Sequence, residues 1–221
     1  MPAATPRTST LALCYGSGAL QGLAMVALPA SATVLQHELG LTSASYGALF
    51  LAQTVAAIAG ALAAGVLARR RALAPLLAFA LAAHALALVA LAAATRIDAT
   101  FAAFTCASAL GLGFGVGAVP LNAVPVALGR GPAATTTMHA MVGGGFALGP
   151  AIVGVAITAR CWVAVPLTLA IVTVIVAALL VRRDLPTPPP LEERTRTVGR
   201  RARVGLALVA IGYAFAEGTF S

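Results

Sequence analysis

The stretch between Asp98 and Asp184 constrains this chain most, because it contains no acidic residue at all. A soluble surface needs interspersed charges of both signs, which such a stretch cannot supply. Its two longest apolar runs are rich in glycine and are separated by one small basic turn at Arg130. Runs of this length are typical of membrane-spanning helices. The chain as a whole is 60% hydrophobic and only 9% charged, which extends this interpretation beyond the stretch.

Glycine spacing inside these two runs predicts helices packed closely against neighbours. Paired glycines stand four residues apart, which is about one helical turn, so each pair clears a stripe along which another backbone can approach. Pro120 and Pro125 each remove a backbone donor and loosen a helix. The pairs are Gly111 with Gly115, Gly113 with Gly117, and Gly145 with Gly149.

Seven apolar segments are each near the roughly 20 residues that a span requires. The first could be mistaken for a cleaved signal peptide, since Arg7 precedes it and Ala30-Ser31-Ala32 imitates a cleavage site. That run is longer than a signal peptide allows, so we interpret it as a span. The segments run over Leu11–Leu35, Ser45–Ala68, Ala72–Ala94, Thr100–Leu128, Thr135–Ala159, Trp162–Val181 and Val204–Ser221.

The domain organisation follows from the one long polar gap. Residues 182–203 contain seven arginines and the run Pro188–Pro190, which predicts an extended linker. Residues 1–181 then form an all-α bundle of six spans, and residues 204–221 begin a second bundle. The gap between Gly60 and Gly65 equals that between Gly149 and Gly154, a weak sign of a 3+3 inverted repeat.

Arginine distribution predicts the orientation in the membrane. The net charge is +8 and every basic residue is an arginine. Twelve arginines fall on one face of the predicted spans, and only Arg96 and Arg160 fall on the other. By the positive-inside rule the first face and the N-terminus are cytoplasmic, in a multi-pass protein of the cell (inner) membrane. The arginines lie between apolar segments without interleaved aromatics, so we expect a lipid bilayer and no nucleic acid as partner. Trp162 and Tyr46 are expected as aromatic belt residues at the outer interface.

Enzymatic classes lack the residues that they need. Gly113, Gly115 and Ala118 imitate a dinucleotide fingerprint, but no acidic residue follows about 20 positions on. The three cysteines have no metal or redox spacing. No aspartate lies in a predicted helix to serve an intramembrane aspartyl protease, and no lysine exists to form a Schiff base. We therefore expect no enzyme, no cofactor, no metal and no catalytic residue.

Several stretches resemble the major facilitator superfamily. GALAAGVLARRR, ending at Arg71, is similar to the cytoplasmic gating loop after that family's second span. Gly65 and Arg70 keep their places there, whereas Arg69 stands where the family has aspartate and Ala72 where it has glycine. This places the loop's usual ion pairs in doubt. LGLGFGVGAVPLNA, MHAMVGGGFALGP and AFAEGTFS resemble the fourth, fifth and seventh spans of the fucose-permease-like branch.

The resemblance implies a secondary active transporter of a small polar solute, sugar-like in this branch. Two six-helix bundles would enclose a central cavity and rock to alternate access, and the complete protein would act as a monomer. Because the chain stops inside an apolar segment, we expect an N-terminal fragment or truncated product. The alternative functions are a non-transporting scaffold or sensor, or an inactive transporter fragment.

Polar residues inside predicted spans are the candidate site. Gln21, Asn122 and His139 are expected to bind substrate, because polar groups are costly in lipid without a purpose. Their alternative role is hydrogen bonding between helices. Gln53 is a weaker candidate. His84 is interpreted as structural, since the third span is peripheral in the resembled fold.

Glu217 is the candidate for both substrate binding and proton coupling. It lies about 20 Å into the seventh span, past the membrane midplane. Desolvation favours the neutral carboxyl there, and no lysine is available to pair with it. Protons are therefore a possible second partner of the transporter.

Overall fold

The computed structural model describes residues 6–68, 72–94, 99–183 and 185. Across these ranges the regular elements are seven α-helices, and six of them are long and apolar enough to cross a membrane. The predicted all-α membrane fold is therefore confirmed. The linker beyond Arg183, apart from Leu185, and the seventh span, Val204–Ser221, lie outside the described residues. The helices are α1 (Pro6–Ala30), α2 (Ala32–Leu39), α3 (Ser43–Leu67), α4 (Leu73–Ala93), α5 (Ala99–Ala127), α6 (Gly131–Thr158) and α7 (Ala164–Val181).

The first span ends earlier than predicted. Its helix stops at Ala30, and the short α2 begins at Ala32 after a break at Ser31. Pro29 lacks the N–H that would continue the hydrogen-bond ladder. The Ser31 hydroxyl donates to the carbonyl oxygen of Ala27 at 2.7 Å, which stabilises the break. The apolar run continues past the break to Leu35 in the first half of α2, and for that reason the sequence alone does not reveal the interruption.

The helices pair in the manner of the predicted inverted repeat. The main partner of α3 is α5, and the main partner of α6 is α1. If the second three spans repeat the first three, α1 corresponds to α5 and α3 to α6, so these two contacts are equivalent. The remaining equivalent helices, α4 and α7, pack against each other. This arrangement leaves α5 in contact with α1, α3, α4 and α6.

Glycines of α5 allow this crowding. A Cβ added at Gly111 or Gly115 would overlap the backbone of α3. One added at Gly113 would lie 2.8 Å from a backbone oxygen of α4, and one at Gly117 would overlap a glutamine side chain of α1. The four glycines therefore admit three different neighbours, as close packing of membrane helices requires.

A second glycine contact joins α1 to α6. A Cβ on Gly22 would lie 3.0 Å from the Cα of Gly145, and one on Gly145 would lie 2.9 Å from the Cα of Gly22. Gly145 therefore packs against another helix, as predicted, and the residue that it faces on α1 is also a glycine.

The third span, α4, is not peripheral in this bundle. In the membrane-spanning part of α4, 56% of the residues are buried, the same share as in α5. The share is 22% in α3, α6 and α7. It lies between α5 and α7 and contributes His84 and Ala87 to the interior. The expectation of a peripheral third span was wrong, because α4 is covered on two sides by its own bundle.

Trp162 does not face lipid as an aromatic belt residue. It is buried, and its indole Nε1 donates to the Ser31 hydroxyl at 2.7 Å. Tyr46 is half-buried and its hydroxyl donates to the carbonyl oxygens of Leu28 and Pro29, each at 3.3 Å. Both aromatic side chains therefore donate hydrogen bonds to residues at the break between α1 and α2.

Two glycines shape the turn between α5 and α6. Gly129 has φ of 66° and Gly131 has φ of 72°, which is left-handed backbone that side chains disfavour. The amide of Arg130 between them donates to the carbonyl oxygen of Pro125 at 3.1 Å. The turn is short, so α5 and α6 run antiparallel.

Candidate functional site

A partly exposed surface with two polar side chains lies along α5 and α6. The rings of Phe114 and Phe146 meet edge to face, with centroids 6.2 Å apart, and this contact shows which sides of the two helices adjoin. We call this surface the open face. It consists of Phe114, Ala118 and Asn122 of α5 and His139, Gly143 and Phe146 of α6.

Asn122 and His139 lie at one level of the open face. Asn122 follows Phe114 by eight residues, or about 12 Å, and His139 precedes Phe146 by seven, or about 10 Å. Because the helices are antiparallel, both displacements point the same way, towards the Arg130 turn. Asn122 is rotated about a quarter turn from Phe114, and His139 lies almost directly along the helix from Phe146. Both side chains are exposed.

The Asn122 amide is held by its own helix. Its Nδ2 donates to the carbonyl oxygen of Ala118 at 2.8 Å. This bond orients the side chain along α5, so that the amide is presented to the open face. Asn122 and His139 can both donate and accept hydrogen bonds, which suits a neutral polar ligand.

Gln21 lies beneath this surface and does not reach it. Only 1% of Gln21 is exposed, and its amide fills the space left by Gly117 of α5. Its Nε2 has no hydrogen-bond partner among the described residues. Gln21 is therefore not in position to touch a ligand on the open face unless α1 and α5 shift.

Gln53 of α3 contacts α1, the helix that carries Gln21. It is buried, and its Nε2 donates to the sulfur of Met25 at 3.3 Å. Met25 stands one helical turn from Gln21 on α1, so this bond joins α3 to the helix that carries Gln21. The i, i+4 spacing places Gln21 and Met25 on the same side of α1. The sequence does not indicate that Met25 accepts a hydrogen bond from Gln53.

Of the remaining predicted site residues, only Gly65 lies in the described part of the chain. Glu217 and the loop residues Arg69, Arg70 and Arg71 lie outside the described residues. Gly65 is described, and a Cβ placed on it would meet no atom within 4 Å. In the described ranges, no group of three His, Cys, Asp or Glu residues could hold a metal ion.

Charge is absent from the described spans, which contain no Asp, Glu, Lys or Arg. Hydrogen bonding is therefore the main polar interaction that the open face offers from within the membrane.

Comparison with known proteins gives one match. The family model of the Major Facilitator Superfamily matches residues 12–220. No curated protein and no solved structure matches the chain.

Proposed function

Given that this chain belongs to the major facilitator superfamily, we propose that it binds a small, uncharged polar solute and carries it by alternating access. Members of the family are membrane transport proteins, and six described helices can span a bilayer. The proposal concerns the solute, the residues that bind it and the energy source.

The observation that carries the proposal is that Asn122 and His139 are both exposed on neighbouring helices, on the same side of the Phe114–Phe146 contact. Two exposed polar side chains at one level inside an apolar bundle are costly in lipid, which favours a position lining a water-filled cavity. A cavity between two bundles is where this family alternates access. The absence of charge from the described spans favours a solute without charge, such as a sugar.

Uptake of radiolabelled monosaccharides by cells expressing the complete reading frame tests the site. Replacing His139 with leucine should lower the initial rate about tenfold, the effect of losing about 1.4 kcal/mol of binding. Replacing Asn122 with leucine should lower it by less, because the Asn122 amide already bonds to the carbonyl oxygen of Ala118. Thr137→Val is the matched control, since Thr137 is also exposed on α6 but does not belong to the open face. Equal losses in control and site variants would contradict the proposed site.

Proton coupling is proposed to depend on Glu217. A carboxyl that gains and loses a proton as the cavity opens to each side would link transport to a proton gradient. Wild-type cells in weakly buffered medium should alkalinise the medium as solute enters. Glu217→Gln should keep solute exchange but lose accumulation against a gradient. Continued accumulation by this variant would show that Glu217 does not couple transport to protons.

The orientation of the chain can be tested with a native cysteine. Cys161 is exposed beside Arg160, in the turn that we propose faces outward, whereas Cys14 and Cys106 are buried. An impermeant maleimide should therefore label the protein in intact cells, and Cys161→Ala should abolish the label. Labelling of the wild-type protein only after the membrane is opened would reverse the proposed topology.

A further inference from the structure

A groove lies on the surface of the bundle where α1 and α7 meet. Its volume is about 390 Å³. Two of its wall residues also pack against a buried apolar cluster, which closes its inner side, and Leu179 is 43% exposed. A Cβ placed on Gly16 would meet no atom within 4 Å, so the groove is open towards the lipid. The apolar wall residues are Ala12, Leu13 and Gly16 on α1, and Val176 and Leu179 on α7.

One end of the groove lies at the edge of the membrane. It is lined there by Ser9, which begins the membrane-spanning part of α1, and by Arg183, which stands two positions after the end of α7 at Val181. The 18 residues of α7 are about 27 Å long, close to the roughly 30 Å thickness of the hydrocarbon core. Arg183 therefore lies just outside the hydrocarbon, at the level of the lipid headgroups.

Arg183 places a guanidinium at this end of the groove. Its backbone amide donates to the carbonyl oxygen of Leu180 at 2.9 Å, which holds the residue in a turn at the end of α7. The side chain is exposed and forms no ion pair with another described residue. Asp184 follows in the sequence, but Arg182 and Arg183 together leave this end of α7 net positive. A guanidinium offers a planar fork of N–H donors that matches a phosphate group.

We propose that this groove binds one anionic phospholipid, with its phosphate on Arg183 and an acyl chain against the apolar walls. Basic pockets between membrane-spanning helices bind anionic headgroups, and an apolar groove beside such a charge complements the chain of the same molecule. A free phosphate would use only the arginine, and a neutral lipid would use mainly the walls. The arginine count assigns this end of α7 to the cytoplasmic side, so the lipid belongs to the cytoplasmic leaflet.

Native mass spectrometry of the full chain tests the charge, with added phosphatidylglycerol or phosphatidylcholine of identical acyl chains. Wild-type protein should retain phosphatidylglycerol more strongly, and Arg183→Gln should weaken that retention about fivefold, the effect of losing about 1 kcal/mol. Arg182→Gln is the matched control, because Arg182 is an exposed neighbour that does not line the groove, and it should have a much smaller effect. Equal retention of the two lipids by wild type, or equal losses in the two variants, would overturn the proposal.

The acyl chain is tested by filling the groove. Gly16→Leu adds a side chain to an open wall, so it should keep the fold and lower retention of phosphatidylglycerol. Gly47→Leu is the control, since Gly47 is exposed on α3 and an added Cβ there also meets no atom within 4 Å. Equal retention by these two variants would overturn the proposed lipid, because the phosphate would then be held without the groove. The comparison of Arg183→Gln with Arg182→Gln decides the proposal also where Gly16→Leu does not fold.

Discussion

The glycines of α5 and those of α6 look alike in the sequence and differ in the structure. All four glycines between Gly111 and Gly117 in α5 lie against another helix. In α6, Gly145 and Gly149 lie against α1, whereas Gly143, Gly144 and Gly154 have no atom of another element within 4 Å of an added Cβ. Spacing alone therefore does not decide whether a glycine packs. The number of neighbours around a helix decides it, and α5 is surrounded while α6 has one open side.

The largest effect is expected where a glycine meets backbone. Gly115→Leu places a side chain into the carbonyl of Ala57, which cannot move without shifting α3. We expect loss of most folded protein, measured as the monodisperse fraction in size-exclusion chromatography. Gly143→Leu on the open side of α6 is the control and should keep near-normal yield. Equal losses would show that Gly143 of α6 is packed as closely as Gly115 of α5.

A smaller effect is expected at the α1–α6 contact. Gly145→Ala adds one methyl group against the carbonyl of Ala19, and overpacking of this kind costs about 1–3 kcal/mol. Each kcal/mol corresponds to about 2–4 °C in Tm for a chain of this size. Gly144→Ala, one position away, should not lower Tm. A loss at Gly144 as large as at Gly145 would mean that α6 is covered on both sides.

Substitutions at Trp162 and Ser31 test whether their hydrogen bond holds α1 in place for its contact with α6. Trp162→Phe removes the donor to Ser31, and a buried hydrogen bond contributes about 1 kcal/mol. We expect a Tm lower by about 2–4 °C. Ser31→Ala should give a similar loss, and combining the two should add little, because both changes remove the same bond. Fully additive losses would show that the bond does not contribute.

The smallest effect is expected at an open glycine. Gly143→Ala meets no neighbour, and alanine is favoured over glycine inside a helix by up to about 1 kcal/mol. Tm should stay the same or rise slightly. A clear fall in Tm would show that Gly143 is packed against something after all.

The first six spans, the helix type and the packing roles of Gly111, Gly115 and Gly145 could be predicted, because length, apolarity and small residues report directly on membrane helices. Which helix is surrounded could not be predicted. Side chains that face lipid are as apolar as those that face other helices, so α4 reads the same whether it is central or peripheral. That ambiguity led to the wrong expectation for the third span.

The polar residues of the spans could be named from the sequence, but their positions in the bundle could not. Asn122, His139 and Gln21 could be recognised because polar residues are rare in spans. The burial of Gln21 depends on the space at Gly117, which belongs to a helix far along the chain. The break at Ser31 likewise depends on Trp162, more than a hundred residues later, and such distant contacts leave no local pattern.

For the proposed solute site, the bond from Asn122 to the carbonyl oxygen of Ala118 has a kinetic consequence. A solute that takes the Asn122 amide as donor exchanges one hydrogen bond for another of similar strength, so its net gain is small. Within one site most affinity differences appear in the dissociation rate, which rises about tenfold for each 1.4 kcal/mol of affinity lost. When the solute leaves, the amide returns to its own helix at no desolvation cost. A carrier built this way holds its cargo briefly, and a short residence time favours rapid turnover.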